Sequence, residues 1–242
     1  MRIYTLLCLM AFSGAGALAD SIINWGNNVS TGNIVIDGNV VRGVDKGHYL
    51  KGSGKKGQLS RKVPPYDQIE VNSALDVVYR QADSQSLELS GDDNIIPLIQ
   101  TTVKNGILLL DINKSYSSSM PISVTLQSPS LSRLTVSGSS DVVLRAIDTD
   151  KLIITLTGTG DISAEGKVKS LSLDVVGSGD VNFKNLAADR AEVKLSGSGD
   201  IQLTSLDELS VVLIGSGDIV YYGGPENINK KIVGSGDFIS GD

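Results

Sequence analysis

The sequence predicts an all-β chain, a single-domain right-handed parallel β-helix built from rungs of about 19–20 residues. Three observations carry that expectation. A corner reading Gly-Ser-Gly-Asp, or a near copy, recurs six times and closes on Asp141, Asp161, Asp180, Asp200, Asp218 and Asp237, at spacings of 20, 19, 20, 18 and 19. The flanks of each corner alternate with period two: Val136, Leu156, Val175, Leu195, Leu213 and Ile232 stand two residues before the first glycine, and Val142, Ile162, Val181, Ile201, Ile219 and Phe238 just after the aspartate. Finally, aromatics are only 5% of the chain and glycine reaches 27 residues, which favours many narrow layers over one bulky core.

One such rung cannot bury its own apolar face, whereas stacked rungs can, each pairing with the next at ~4.8 Å. The usual chirality of parallel crossovers makes the coil right-handed. A β-propeller blade would need about twice this period, and leucine-rich repeats would show an asparagine ladder and helical segments.

Taken in order, residues 1–19 read as a secretory signal. Arg2 supplies the positive end, "IYTLLCLMAFSGAGA" the apolar run, and Ala17-Leu18-Ala19 the small-residue cleavage site. An uncleaved anchor is the alternative, disfavoured by a short, Gly-rich run. Cleavage removes Cys8, the only cysteine, so disulfides and thiolate metal sites are excluded from the mature chain. No later stretch is long and apolar enough to span a membrane as a helix. The expected location is therefore exported: periplasmic, secreted or on the cell surface.

Residues 20–63 lack the repeat. "INWGNNVSTGNIVIDGNVVRG" holds short β-like runs between Gly and Asn turns. "KGHYLKGSGKKGQLSRK" (46–62) carries six basic residues and no acid, and reads by default as a flexible linker, with docking on an anionic envelope surface as the alternative. Pro64-Pro65 marks the expected start of the main domain, 64–242. Residues 66–113 alternate too, with turns at 81–86, 91–94 and 104–106, but the rhythm is looser, so irregular early rungs continuous with the later ones are expected. In the regular part a further apolar residue, such as Val168, Leu186 or Leu206, marks a third short strand in mid-rung.

Several stretches resemble a known family. "YDQIEVNSALDVVYRQ", "LELSGDDNIIPLIQTTVKNGILLLDI" and "PISVTLQSPSLSRLTVSGSSDVVL", together with the repeated "GSGD", are similar to the head GIN domain family, a bacterial family of largely unknown function described as auto-transporter adhesins. The resemblance covers about 64–242 and implies a right-handed β-helix, export and an adhesive role. It implies no catalytic residue.

Three chemistries could write the recurring corner. As structure, glycine supplies positive φ, the aspartate folds back on local backbone N–H groups, and the Ser or Thr bonds its counterparts above and below. A phosphate loop would need Gly-Lys-Ser/Thr opening a helix, which no copy shows. As a calcium ladder, the six aspartates stack in one column; two charges ~5 Å apart repel by ~0.8 kcal/mol in water, and Ca²⁺ between rungs would relieve this. Calcium-binding β-rolls, however, use a nine-residue period with more acids per turn.

No catalytic constellation stands out. The only histidine, His48, lies in the basic segment, and Arg145, Lys167, Lys169, Lys184, Arg190 and Lys194 read as scattered surface charge. Trp25, Tyr221 and Tyr222 are candidates for stacking on a sugar, with cap or rung-edge packing as the plainer reading. A net charge of −6 excludes a general nucleic-acid binder. The expected function is thus a non-enzymatic exported module, adhesive or scaffolding, whose partner is a surface glycan or an envelope protein. A β-helix glycan-processing enzyme is the alternative. Lys230 falls where other rungs put an aliphatic, at an uncovered last rung, so a protected edge and mostly a monomer are expected, with a weak end-to-end dimer as the alternative.

Overall fold

The computed structural model describes residues 34–36, 39–41 and 50–241. The signal segment, Trp25 and His48 lie outside the described residues. Strands β1 (Ile34–Ile36) and β2 (Asn39–Val41) pair antiparallel, Ile34 opposite Val41, in a unit of their own.

The second unit is a parallel β-solenoid whose first half runs through β3 (Leu50–Lys51), β4 (Lys56–Ser60), β5 (Gln68–Val71), β6 (Asp76–Gln81), β7 (Ser86–Asp92), a 3₁₀ turn at Ile96–Leu98, β8 (Gln100–Lys104), β9 (Ile107–Asp111), β10 (Tyr116–Ser117) and β11 (Ser123–Ser128). Each later rung grows from a long strand: β12 (Arg133–Gly138), β13 (Val142–Gly158), β14 (Ile162–Gly177), β15 (Val181–Gly197) and β16 (Ile201–Gly215), then β17 (Ile219–Tyr222), β18 (Asn227–Gly234) and β19 (Phe238–Ser240).

The regular rungs stack in strict register. Val142 pairs with Ile162, Ile162 with Val181, Val181 with Ile201 and Ile201 with Ile219. Register breaks between Leu144 and Ile147 where β13 meets β14, once where β14 meets β15 and twice where β15 meets β16, so each rung reads as straight runs joined by bends. Inward residues of β12 to β16 share one core, Leu152, Ile154 and Leu156 of β13 being fully buried. Val168 and Leu186 are buried in mid-rung as expected, but Leu206 is exposed. β16 is two residues shorter than β15, so Ser205 takes the inward place opposite Ala188 and its Oγ donates to the Glu208 carbonyl at 2.7 Å.

The early rungs are continuous with the later ones, but not in chain order. β5 and β6 form a layer flanked by β9 and β11 on one side and by β12 and the start of β13 on the other, all parallel. The layers therefore stack as 107–128, then 68–81, then 133–145. β7 folds back antiparallel on β11, β8 on β9 and β4 on β7, forming antiparallel strands at this end of the stack.

This corrects the linker reading of 46–62, because Leu50–Lys51 and Lys56–Ser60 are strands. Arg61 fixes the segment: its guanidinium donates to the carbonyls of Ile96, Pro97 and Ile99 and to Thr101 Oγ1. The buried Asp92 carboxylate accepts from the Gly54 N–H at 2.7 Å and from the Ser118 hydroxyl, so its burial leaves no lone charge without donors.

Candidate functional site

The glycine corners are dictated by close stacking. The first glycine of each copy has positive φ, +136° at Gly177 and +151° at Gly197. A Cβ at either would fall on the carbonyl oxygen of the equivalent glycine one rung earlier, and the second glycines, Gly179 and Gly199, meet the same obstacle. Only the first corner differs. Ser140 replaces the second glycine there, and the layer beside it turns through Asn72–Leu75 without glycine. The fully buried Ser140 Oγ accepts from the Leu75 N–H at 3.0 Å and donates to the Ser73 carbonyl. Ser73 Oγ in turn donates to Asp111 Oδ1 at 2.6 Å and accepts from the Ile112 N–H at 2.8 Å. Side-chain hydroxyls thus stitch the layers that lack the glycine corner.

The six aspartates form one column, and each of the first five carboxylates bonds the next rung. Oδ1 of Asp141 accepts from the Asp161 N–H at 3.0 Å, and the pattern continues through Asp180, Asp200, Asp218 and Asp237 at 2.8–2.9 Å. The local Asx-type turn expected from sequence is therefore replaced by a bond between rungs. A hydrogen bond to a charged group contributes about 1.5–3 kcal/mol, less where exposed. Each bond is set against one neighbour repulsion of about 0.8 kcal/mol in water. The repulsion offsets part of each exposed bond, so the column fixes rung register more than it adds stability. Among the described residues, no three His, Cys, Asp or Glu side chains gather closely enough to share an ion.

Beside the aspartates runs a second outward column that the sequence reading passed over: Val143, Ser163, Asn182, Gln202 and Val220, paired in register. Its signal was present, since each member stands two residues after a corner aspartate, on the outward side of the alternation. Together the columns line a shallow groove of about 370 Å³ that includes Asp141, Asp161, Asp180 and Asp200 with Ser163, Asn182 and Gln202. Its surface offers one carboxylate per rung, beside Val143, the Ser163 hydroxyl and the Asn182 and Gln202 amides in turn. In the layer before Asp141, Asp76 is raised from its ordinary value by partial burial and by the nearby Asp141 charge.

Of the aromatic candidates, Tyr221 and Tyr222 are engaged within the fold. The Tyr221 ring stacks on Phe238 with centroids 4.7 Å apart, and the Lys184 ammonium lies 4.1 Å from the Tyr222 ring centroid. Lys167 and Lys169 pair with Asp148 and Asp150, and Lys194 with Glu192, all exposed. Burial pushes up the hydroxyls of Tyr66, Tyr79 and Tyr116; Tyr79 bonds Ser128 Oγ at 3.0 Å and Tyr116 the Ala74 carbonyl at 2.8 Å, so these tyrosines hold layers together.

Known proteins agree with this architecture. The family described as "Putative auto-transporter adhesin, head GIN domain" matches residues 65–225. A "putative adhesin" from Bacteroides fragilis is similar at 25% identity and a TM-score of 0.68, over 79% of this chain and 99% of that one. A "putative adhesin" from Parabacteroides distasonis is similar at 23% identity and a TM-score of 0.52, over 79% and 99%. A "putative lipid binding protein" from the same organism has 23% identity and a TM-score of 0.51, over 80% and 100%. The latter two show the shared fold alone. No curated protein matches the chain.

Proposed function

We propose, from the premise that this chain belongs to the head GIN domain family, that it is an exported, non-enzymatic binding module of the adhesin type, and that its ligand is a polymeric glycan laid along the solenoid. The observation that carries this reading is the pair of parallel columns, Asp141 to Asp200 beside Ser163, Asn182 and Gln202, held in register rung by rung. Carboxylates accept hydrogen bonds from sugar hydroxyls, and amides both accept and donate them. A repeat of one rung, ~4.8 Å, lets a chain polymer make the same weak contact several times. The adhesin-like family supports an exported setting, and among the described residues no helix is long and apolar enough to cross a membrane.

The test incubates the chain with envelope and host glycans and follows retention and glycan length together. Retention without shortening is expected, weakened by the double variant Asn182→Ala, Gln202→Ala, which leaves the core untouched. Shortened products would instead make the protein a glycan-processing enzyme. Absence of retention on every glycan would remove the glycan ligand.

A further inference from the structure

Six of the seven large apolar side chains left exposed among the described residues lie between Leu206 and Ile239. Four of these belong to one edge: Ile228, Ile232 and Val233 on β18, and Ile214 paired beside Val233. That strand pairs with β16 on one side and, among the described residues, with nothing on the other. Its free side carries main-chain donors and acceptors in ladder geometry. Ile228, Lys230 and Ile232 occupy the inward register of Leu209, Val211 and Leu213, yet all three are exposed because no layer of the described residues covers them. On the outer face, Ile214 and Val233 pair in register and continue the apolar surface around the edge.

Lys230 is the exception in its column. The same position holds Ile154, Leu173, Val193 and Val211 in the preceding rungs. Its ammonium lies 5.0 Å from the Phe238 ring centroid, so the charge sits over the end of the core. An apolar edge with one inward cation is complementary to a strand that is apolar with one inward acid.

We propose that β18 is a strand-accepting edge for a partner polypeptide whose core-facing side reads apolar, acidic, apolar, with the carboxylate on Lys230 and the aliphatics on Ile228 and Ile232. Main-chain bonds would supply attachment, and the alternate side chains specificity. The site is separate from the polar groove and does not depend on the glycan reading. A second copy of this chain is a poor occupant. In an antiparallel pairing of β18 with itself, inward residues must face inward residues. The two registers that satisfy this and pair nearly the whole strand set Lys230 against Lys230, or Lys231 against Lys231, and like charges directly opposite oppose pairing.

The experiment titrates the full chain into a fluorescein-labelled peptide, Ser-Val-Thr-Glu-Thr-Val-Ser, and into the same peptide with Lys in place of Glu, reading anisotropy at low salt. The Glu peptide is expected to bind at least about tenfold more tightly, and Lys230→Glu to reverse the preference. Should that variant fail to fold, Lys230→Gln is expected to erase the discrimination. Equal affinity for both peptides, or no binding of either, overturns the proposal. So does sedimentation showing that the chain alone dimerises in a manner Lys230→Glu changes, since the occupant would then be a second copy.

Discussion

Gly138 and Gly177 open equivalent corners, but only Gly177 has an earlier glycine corner stacked against it. An added Cβ at Gly138 meets nothing within 4 Å, though φ is +114°; at Gly177, with φ +136°, it meets the Gly158 carbonyl. Backbone strain alone costs about 1–3 kcal/mol, and overpacking adds about 1–3 kcal/mol more. Gly177→Ala is therefore expected to lower the urea midpoint roughly twice as far as Gly138→Ala, which equilibrium unfolding reads directly. Asp76 gives a second prediction at this scale. Its folded pKa is raised from 3.8, so the folded state favours the protonated acid. That contribution is full below the unfolded value and is lost as pH rises through the higher folded one. Asp76→Asn should raise the urea midpoint at neutral pH and leave it unchanged near about pH 3.

Elements are joined differently at the two kinds of corner. In the regular rungs glycine removes the side chain so that backbones approach; in the early layers Ser73 and Ser140 supply hydroxyls that bond across. Ser140→Gly should thus destabilise the chain although it restores the repeated motif, because it strips the buried Leu75 N–H of its partner. The expected cost is about 1–3 kcal/mol by chemical denaturation. Arg61→Ala is expected to act locally. Losing the guanidinium that donates to four acceptors around the 3₁₀ turn should speed amide exchange at Ile96, Leu98 and β8, with little change in β14 to β16, as hydrogen exchange by mass spectrometry would show.

At the scale of the molecule, the regular rungs behave as interchangeable layers and the early ones do not. Deleting 181–200 removes one complete rung and joins Asp180 to Ile201, each already in the register the join requires. That deletion should leave a folded solenoid of lower stability, since each rung contributes its own layer and one interface. Deleting 68–81 removes a layer held between segments that are distant in sequence, and should abolish cooperative unfolding, followed by circular dichroism. A second rung deletion in the groove, 162–180, would also shorten both polar columns by one repeat and should weaken glycan retention in proportion.

The sequence by itself determined the repeat, the inward side of each rung and the glycine corners. A period of 19–20 residues with strict alternation admits one way to bury the apolar side, and the family resemblance agreed with it. Lys230 was likewise legible, because it breaks an otherwise aliphatic column. Tertiary structure decided the rest. The layer order 107–128, 68–81, 133–145 depends on which strands pair across long separations, and local alternation says nothing about partners. The basic segment became strands because β3 pairs with β10 and β4 with β7, partners that only folding brings beside it. The aspartates bond across rungs because parallel stacking places each carboxylate beside the next rung's N–H, a contact between residues 18–20 apart that no local turn rule contains.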